Sequence, residues 1–383
     1  EINKNVPYVI HWDEKRIKDD QGLFQNRVAV VLTGSHTETL LSANKTKDST
    51  GESQAEAVFE AIEKFDIKEN IIGMSFDTTN SNFGARKGAS VLIEKLLDSK
   101  LLYLPCRHHI YDLIAKGCSK VIFGDTVGPT CPLFEKFRND WINIKNETPQ
   151  HLNITDEWFT EAKTNVANGL KHVLPFNFKR NDYKELAEIT LFLLGENDDI
   201  HFKQPGAHHH ARWMSGIIYF MKMAAFGKNI YEPDFFHKIE QLSGFYSIFF
   251  VLPWLQSHQP CESAFFDIAL IKSLTCHKSN ISDAALKIMS RHLWYLSSEL
   301  VALALFSKNI SVEDKEDAIL KLKSYQPDLT FGKPILPKNL NFNSIKLSHL
   351  VTNKTWSIFK ILDEKFSINT QWLFLEGKER DLN

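Results

Sequence analysis

Two aspartates in this chain each follow an apolar run of strand length. Val9-Ile10-His11-Trp12 leads into Asp13, and Ile71-Ile72-Gly73-Met74-Ser75-Phe76 leads into Asp77. Buried carboxylates at the ends of neighbouring strands repel one another, and each is unfavourable unless something positive meets it. A divalent cation resolves that conflict. Paired metals about 3.5–4 Å apart, held by such acids, activate an attacking oxygen and stabilise a departing one in phosphoryl transfer. The plainer reading of either residue alone is an aspartate closing a turn.

Later positions could join them. Glu262, in Gln259-Pro260-Cys261-Glu262-Ser263-Ala264, opens an apolar helix and could return to the site as a third acid; Asp267 is its rival. Taken alone, Glu262 is a first-turn carboxylate favoured by the helix dipole. Cys106 and His109 stand three residues apart with Leu113 on the same helix face, which points His109 inward and His108 away. Zinc would need two further ligands. No second Cys/His pair has that spacing, so a packed structural pair is the better reading. After His208-His209-His210 comes Arg212-Trp213: a guanidinium suits phosphate, and an indole stacks on a base.

The elements that must position these residues read as strand, strand, strand, helix, strand. The second and third strands are Val28 to Leu32 and Thr37 to Ala43, and the helix is Gln54 to Phe65, with Ser53 and Glu56 spaced as a capping box. A fifth strand, Leu101 to Leu104, precedes a helix near Cys106. From about 121 the periodicity is helical, and Pro327, Pro334 and Pro337 mark an extended arm. The expected domains are therefore 1–120 as an α/β core, 121–255 as a helical insertion, 256–306 as helices returning to the core with Glu262, and 307–383 as a C-terminal helical and extended arm.

Composition narrows the classes. The 383 residues suffice for more than one domain, and 43% hydrophobic residues with 28 Phe supply a large core. A net charge of -2 argues against a surface that grips nucleic acid everywhere, while allowing a local basic groove. Five Cys without a CxxC pair signal neither a zinc ribbon nor a disulfide framework. With no secretory signal they suggest a reducing compartment. No apolar run approaches a membrane span of about 18 residues. There is no glycine-rich phosphate loop after the first strand, where the chain reads Asp13-Glu14-Lys15-Arg16.

The strand order with acids on strands one and four resembles a ribonuclease H-like fold. The set Asp77-x-x-x-Ser81-Asn82, Cys106-x-x-His109 and Arg212-Trp213 resembles hAT-superfamily transposases over roughly residues 8–275. By that resemblance Asp13, Asp77 and Glu262 are the catalytic acids and hold two Mg²⁺ or Mn²⁺ ions. Cys106 and His109 support the active-site region, and Trp213 stacks near the cleaved DNA end. The partner implied is DNA at transposon ends, in the nucleus, with a homo-oligomer and no membrane. The family's N-terminal zinc finger is separate from or missing in this chain, which begins at Glu1. Two alternatives accompany this expectation: a transposase-derived binding or scaffold protein without catalysis, and a nuclease of RNA–DNA hybrids.

Overall fold

In the computed structural model of the chain, residues 2–34, 37–126, 131–175, 178, 180–206, 214–328 and 340–366 are described. Five strands make one mixed sheet: β1 (Tyr8–Lys18), β2 (Phe24–Gly34), β3 (Thr37–Thr46), β4 (Ile71–Ser75) and β5 (Leu102–Tyr103). Their order across the sheet is β3-β2-β1-β4-β5. β1 is antiparallel to β2 and parallel to β4; β2 and β3 are antiparallel, β4 and β5 parallel. The first helices are α1 (Gly51–Phe65), α2 (Asn80–Phe83), α3 (Ala89–Leu97) and α4 (Arg107–Phe123). Then come α5 (Pro132–Ile144), α6 (Glu157–Val173), α7 (Asn181–Leu193), α8 (Met214–Phe226), α9 (Pro233–Phe245) and α10 (Val251–Gln256). The last are α11 (Ser263–His277), α12 (Asn280–His292), α13 (Ser297–Leu303), α14 (Val312–Lys323) and α15 (Ser357–Phe366).

The first strand does not end at Asp13. β1 continues to Lys18 because its polar half pairs with the start of β2, from Asp13↔Ala29 to Lys18↔Phe24. Backbone pairing, not burial, carries this extension. A tight turn closes it. The Asp19 carbonyl accepts from the Gly22 amide at 2.9 Å, and Asp19 Oδ1 accepts from the amides of Gln21 and Leu23 at 3.0 and 2.8 Å. Gly22 holds φ 78°, a left-handed value that a residue without Cβ adopts freely.

Alternation along the strands sends Tyr8, Ile10 and Trp12 of β1, with Val28, Val30 and Leu32 of β2, into one core. Helix α1 adds Ala55, Val58 and Ile62, and α3 adds Ala89, Ile93 and Leu97. Each large aliphatic side chain so buried contributes roughly 1.5–3 kcal/mol. Helix α1 starts earlier than the Ser53 capping box suggested. Its N-cap is Thr50, whose hydroxyl accepts from the Ser53 amide at 3.2 Å. The start is tightly packed: a Cβ on Gly51 would collide with the carbonyl oxygens of Ser81 and Lys87.

The chain divides into two compact units. The sheet unit holds Glu1–His109, Gln259–Ile268 and Leu293–Asn383; the helical unit holds Ile110–His258 and Ala269–His292. These bounds differ from those expected. The segment 256–306 is split, because Asp267 binds Arg107 within the sheet unit whereas Cys118 donates to the Ile281 carbonyl within the helical one. Within the expected arm, α14 and α15 bury Ile319, Leu322, Ile358 and Phe359 in packed structure. The helical unit is built on rings. Phe134 meets Tyr219 and Phe220, Phe123 stacks on Phe220 with centroids 5.3 Å apart, and Tyr246 donates its hydroxyl to the Ala115 carbonyl at 2.8 Å.

Candidate functional site

The parallel pairing of β1 and β4 places His11 opposite Ser75. One residue further on, Trp12 stacks on Phe76 with ring centroids 4.8 Å apart. The next residue on each chain is an aspartate, Asp13 within β1 and Asp77 just past β4. Pleating turns Asp13 to the sheet face opposite Trp12. On that face the half-buried ring of His11 has its pKa lowered to about 4 by loss of water, so it is neutral at pH 7. Its Nε2 lies 2.7 Å from Thr33 Oγ1.

Asp77 is fixed by the turn that follows it. Its Oδ1 accepts from the Thr79 amide at 3.1 Å, the Thr79 hydroxyl at 2.6 Å and the Asn82 amide nitrogen at 2.6 Å. None of these bonds uses Oδ2. Asn82 is buried and held from behind, because the Trp12 indole N–H donates to its Oδ1 at 2.7 Å. Trp12, Asn82 and Asp77 thus form one chain of hydrogen bonds that begins in the core and ends on a carboxylate. This run of hydrogen bonds satisfies both ends of the Asn82 amide, which leaves its side chain a single orientation.

A further acid stands here that the sequence reading passed over. Glu14 shares the Trp12 face of β1 and accepts from Gln54 Nε2 of α1 at 3.1 Å on its Oε2. Burial pushes its pKa up, a Ser49 hydrogen bond opposes this, and the negative charges of Asp48, Asp13 and Asp77 add to the rise. Glu14 Oε1 and Gln54 Oε1 are both buried without a hydrogen-bond donor. Asp48 goes the other way: the Thr50 and Ser53 hydroxyls and the Thr50 amide pull it down to about 2. The signal for Glu14 was present in the strand alternation, since it stands two residues beyond the buried Trp12.

The late acids play different parts. Glu262, in the sheet unit, accepts from the Ser307 hydroxyl at 2.6 Å and from Asn309 Nδ2 at 2.9 Å, both on Oε2. Asp267 is fully buried and takes Arg107 in a two-pronged pair, Nη2 to Oδ1 at 2.8 Å and Nε to Oδ2 at 3.2 Å. The Tyr295 hydroxyl completes it at 2.6 Å. Arg107, between Cys106 and His108, is the buried residue of that turn. His108 and His109 are both half-buried, so the expected contrast of one inward and one outward imidazole does not occur. An aliphatic face pattern could not foresee that the inward residue is a cation meeting an acid 160 positions away. Arg212, Trp213 and His208 to His210 lie outside the described residues.

Among the described residues, no group of three or more His, Cys, Asp or Glu side chains is arranged to hold a metal ion. No described helix is long and apolar enough to cross a membrane. No protein-family model matches the chain, and no curated protein matches it in sequence.

Proposed function

We propose that the sheet unit is a ribonuclease H-like core that performs metal-dependent cleavage and transfer of DNA strands, as in transposases of the hAT type. The observation that carries this reading is the parallel β1–β4 pairing, which brings Asp13 and Asp77 to equivalent positions just beyond the Trp12–Phe76 stack. The strand order β3-β2-β1-β4-β5 supports it. The donors suit Mg²⁺ or Mn²⁺: they are oxygens, and the Asp77 Oδ2 takes no part in the bonds that clamp its Oδ1. Ions on Asp13 and Asp77 would neutralise the phosphate and activate water or a 3′-hydroxyl; Glu262, the third carboxylate of the expectation, forms no metal-holding group with them. Asn82 then serves to orient Asp77. Glu14 adds to the negative potential that draws cations to this sheet end. A DNA substrate places the work in the nucleus.

The test is cleavage of labelled DNA duplexes in Mn²⁺ by the whole chain and by Asp13→Asn and Asp77→Asn. Loss of activity in both variants, with unchanged thermal melting, is expected. Retained cleavage in either removes it from the reaction. The hydrogen bonds already made by Glu262 Oε2 support a second reading, a transposase-derived binding protein without catalysis. Tight DNA binding with no cleavage by the wild-type chain selects that reading. Cleavage confined to RNA–DNA hybrids selects a nuclease.

A further inference from the structure

The polar half of β1 carries cations at registered positions. Lys15 pairs with Arg27 of β2, and Arg27 pairs with Lys45 of β3, so three cations stand abreast on one face across three strands. Neighbouring strands lie about 4.7–4.9 Å apart, and like charges directly opposite destabilise a sheet. Among the described residues, none of the three forms a salt bridge. Lys15 and Lys45 are exposed, and Arg27 is half-buried with Nη1 braced on the Ala43 carbonyl at 3.1 Å. Backbone pairing thus holds three like charges side by side, where one extended anion could meet all of them.

Its position gives the row meaning. Lys15 lies two residues beyond Asp13 on the same strand, hence on the same face, at roughly 7 Å along the chain. The opposite face is also basic. Arg16 and Lys18 stand over the exposed ring of Phe24, 5.0 and 5.3 Å from its centroid. A cleft of about 250 Å³ at this end of the sheet is lined by Arg16, Phe24 and Asn26 and also by Lys45 of the row and Lys47. Asp13 on the row's own face repels an acidic peptide and a phosphodiester alike, so the choice between them rests on how regularly the charge is spaced. A phosphodiester chain brings a regular run of negative charge, one of which could be carried on toward that aspartate.

We propose that Lys15, Arg27 and Lys45 form a seat for the sugar-phosphate backbone of a nucleic-acid strand, which they lead toward Asp13. The location of the strand relative to the acids rests on the cleavage reading above; the binding itself does not. Affinity in this seat is electrostatic and therefore salt-dependent, since each neutralised phosphate releases counter-ions.

The test measures binding of the whole chain to fluorescent single-stranded DNA, the same sequence as RNA, duplex DNA and anionic phospholipid vesicles, all in EDTA so that no cleavage occurs. The variant is Lys15→Gln/Arg27→Gln/Lys45→Gln. On a single strand it is expected to lower the slope of log affinity against log salt by about 2, and to bind roughly tenfold or more weakly at low salt. The exposed single variants Lys15→Gln and Lys45→Gln, which spare the Arg27 brace, should each lower the slope by about 0.7 and guard against misfolding of the triple variant. Asp13→Asn should bind at least as tightly as wild type. An unchanged slope in the single variants, no nucleic-acid binding by the wild-type chain, or binding to vesicles alone overturns the proposal. Row-dependent binding without Mn²⁺ cleavage leaves the seat standing and removes the catalytic reading.

Discussion

Among the described residues, each unit shows a buried charge pair, and the two are built differently. In the sheet unit, Arg107 and Asp267 are 3% and 0% exposed, and the carboxylate accepts from two guanidinium nitrogens and the Tyr295 hydroxyl. In the helical unit, Lys222 Nζ lies 2.6 Å from Glu185 Oε1 and donates to the Lys203 carbonyl at 2.6 Å, while Glu185 stays 14% exposed. Loss of water lowers the Lys222 pKa, and Glu185 resists that only in part. A planar fork can satisfy a buried carboxylate at several points, whereas a point charge cannot. The first pair is a closed network and the second is half open.

Removing one partner should separate them. Asp267→Ala removes the carboxylate that faces a buried guanidinium and should destabilise the protein by about 3–5 kcal/mol, read as a drop in the urea midpoint. A loss below about 1 kcal/mol would mean that the carboxylate is not what holds the network together.

Glu94 sharpens the comparison, because it is a buried acid satisfied without a direct ion pair. Its Oε1 accepts from the Leu101 amide at 2.9 Å and its Oε2 from the Tyr103 hydroxyl at 3.0 Å. Burial raises its pKa from 4.5 to about 7, despite those bonds and the charge of Lys100. The folded protein therefore holds this proton more tightly than the unfolded chain. Its contribution is complete below pH 4.5 and is lost as pH rises through about 7. The loss is on the order of 3 kcal/mol. Urea melts of wild type and Glu94→Gln from pH 4.5 to 8 should converge at the acid end and separate, with the variant more stable, at the basic end. Parallel curves would show that Glu94 is charged throughout.

The smallest effect belongs to the half-open pair. Lys222→Met replaces a buried ammonium with an apolar chain and leaves Glu185, 14% exposed, in contact with water. The change in stability should stay within about 1 kcal/mol of zero. A loss as large as that for Asp267→Ala would erase the distinction between the two pairs.

Much of this was legible in the sequence, and the failures share a cause. Apolar runs marked the buried parts of β1 to β4, and the helical periodicity from about 121 marked the helical unit, because burial writes itself into local pattern. Asp13 and Asp77 were visible for the same reason, as the first polar residues after those runs. The reading stopped β1 at Asp13, because the pairing of Lys15, Arg16 and Lys18 with β2 buries nothing. It missed Glu14, which looked like the start of a polar loop and is instead on a strand face above α1. It named Asp267 only as a rival third acid and missed its pairing with Arg107, 160 positions away, because no local period encodes such a contact.

The place of β3 in the sheet has a further consequence. It is an edge strand ten residues long, paired only with β2 among the described strands, whereas the other edge, β5, has two. A long open edge presents backbone donors and acceptors to any passing strand, and lysines along it discourage such pairing. Exposed Lys45 and Lys47 stand at its end. The same side chains that suit a phosphate would thus keep two copies of the sheet from zipping together in solution. A substitution that removes them acts on colloidal behaviour as well as on binding.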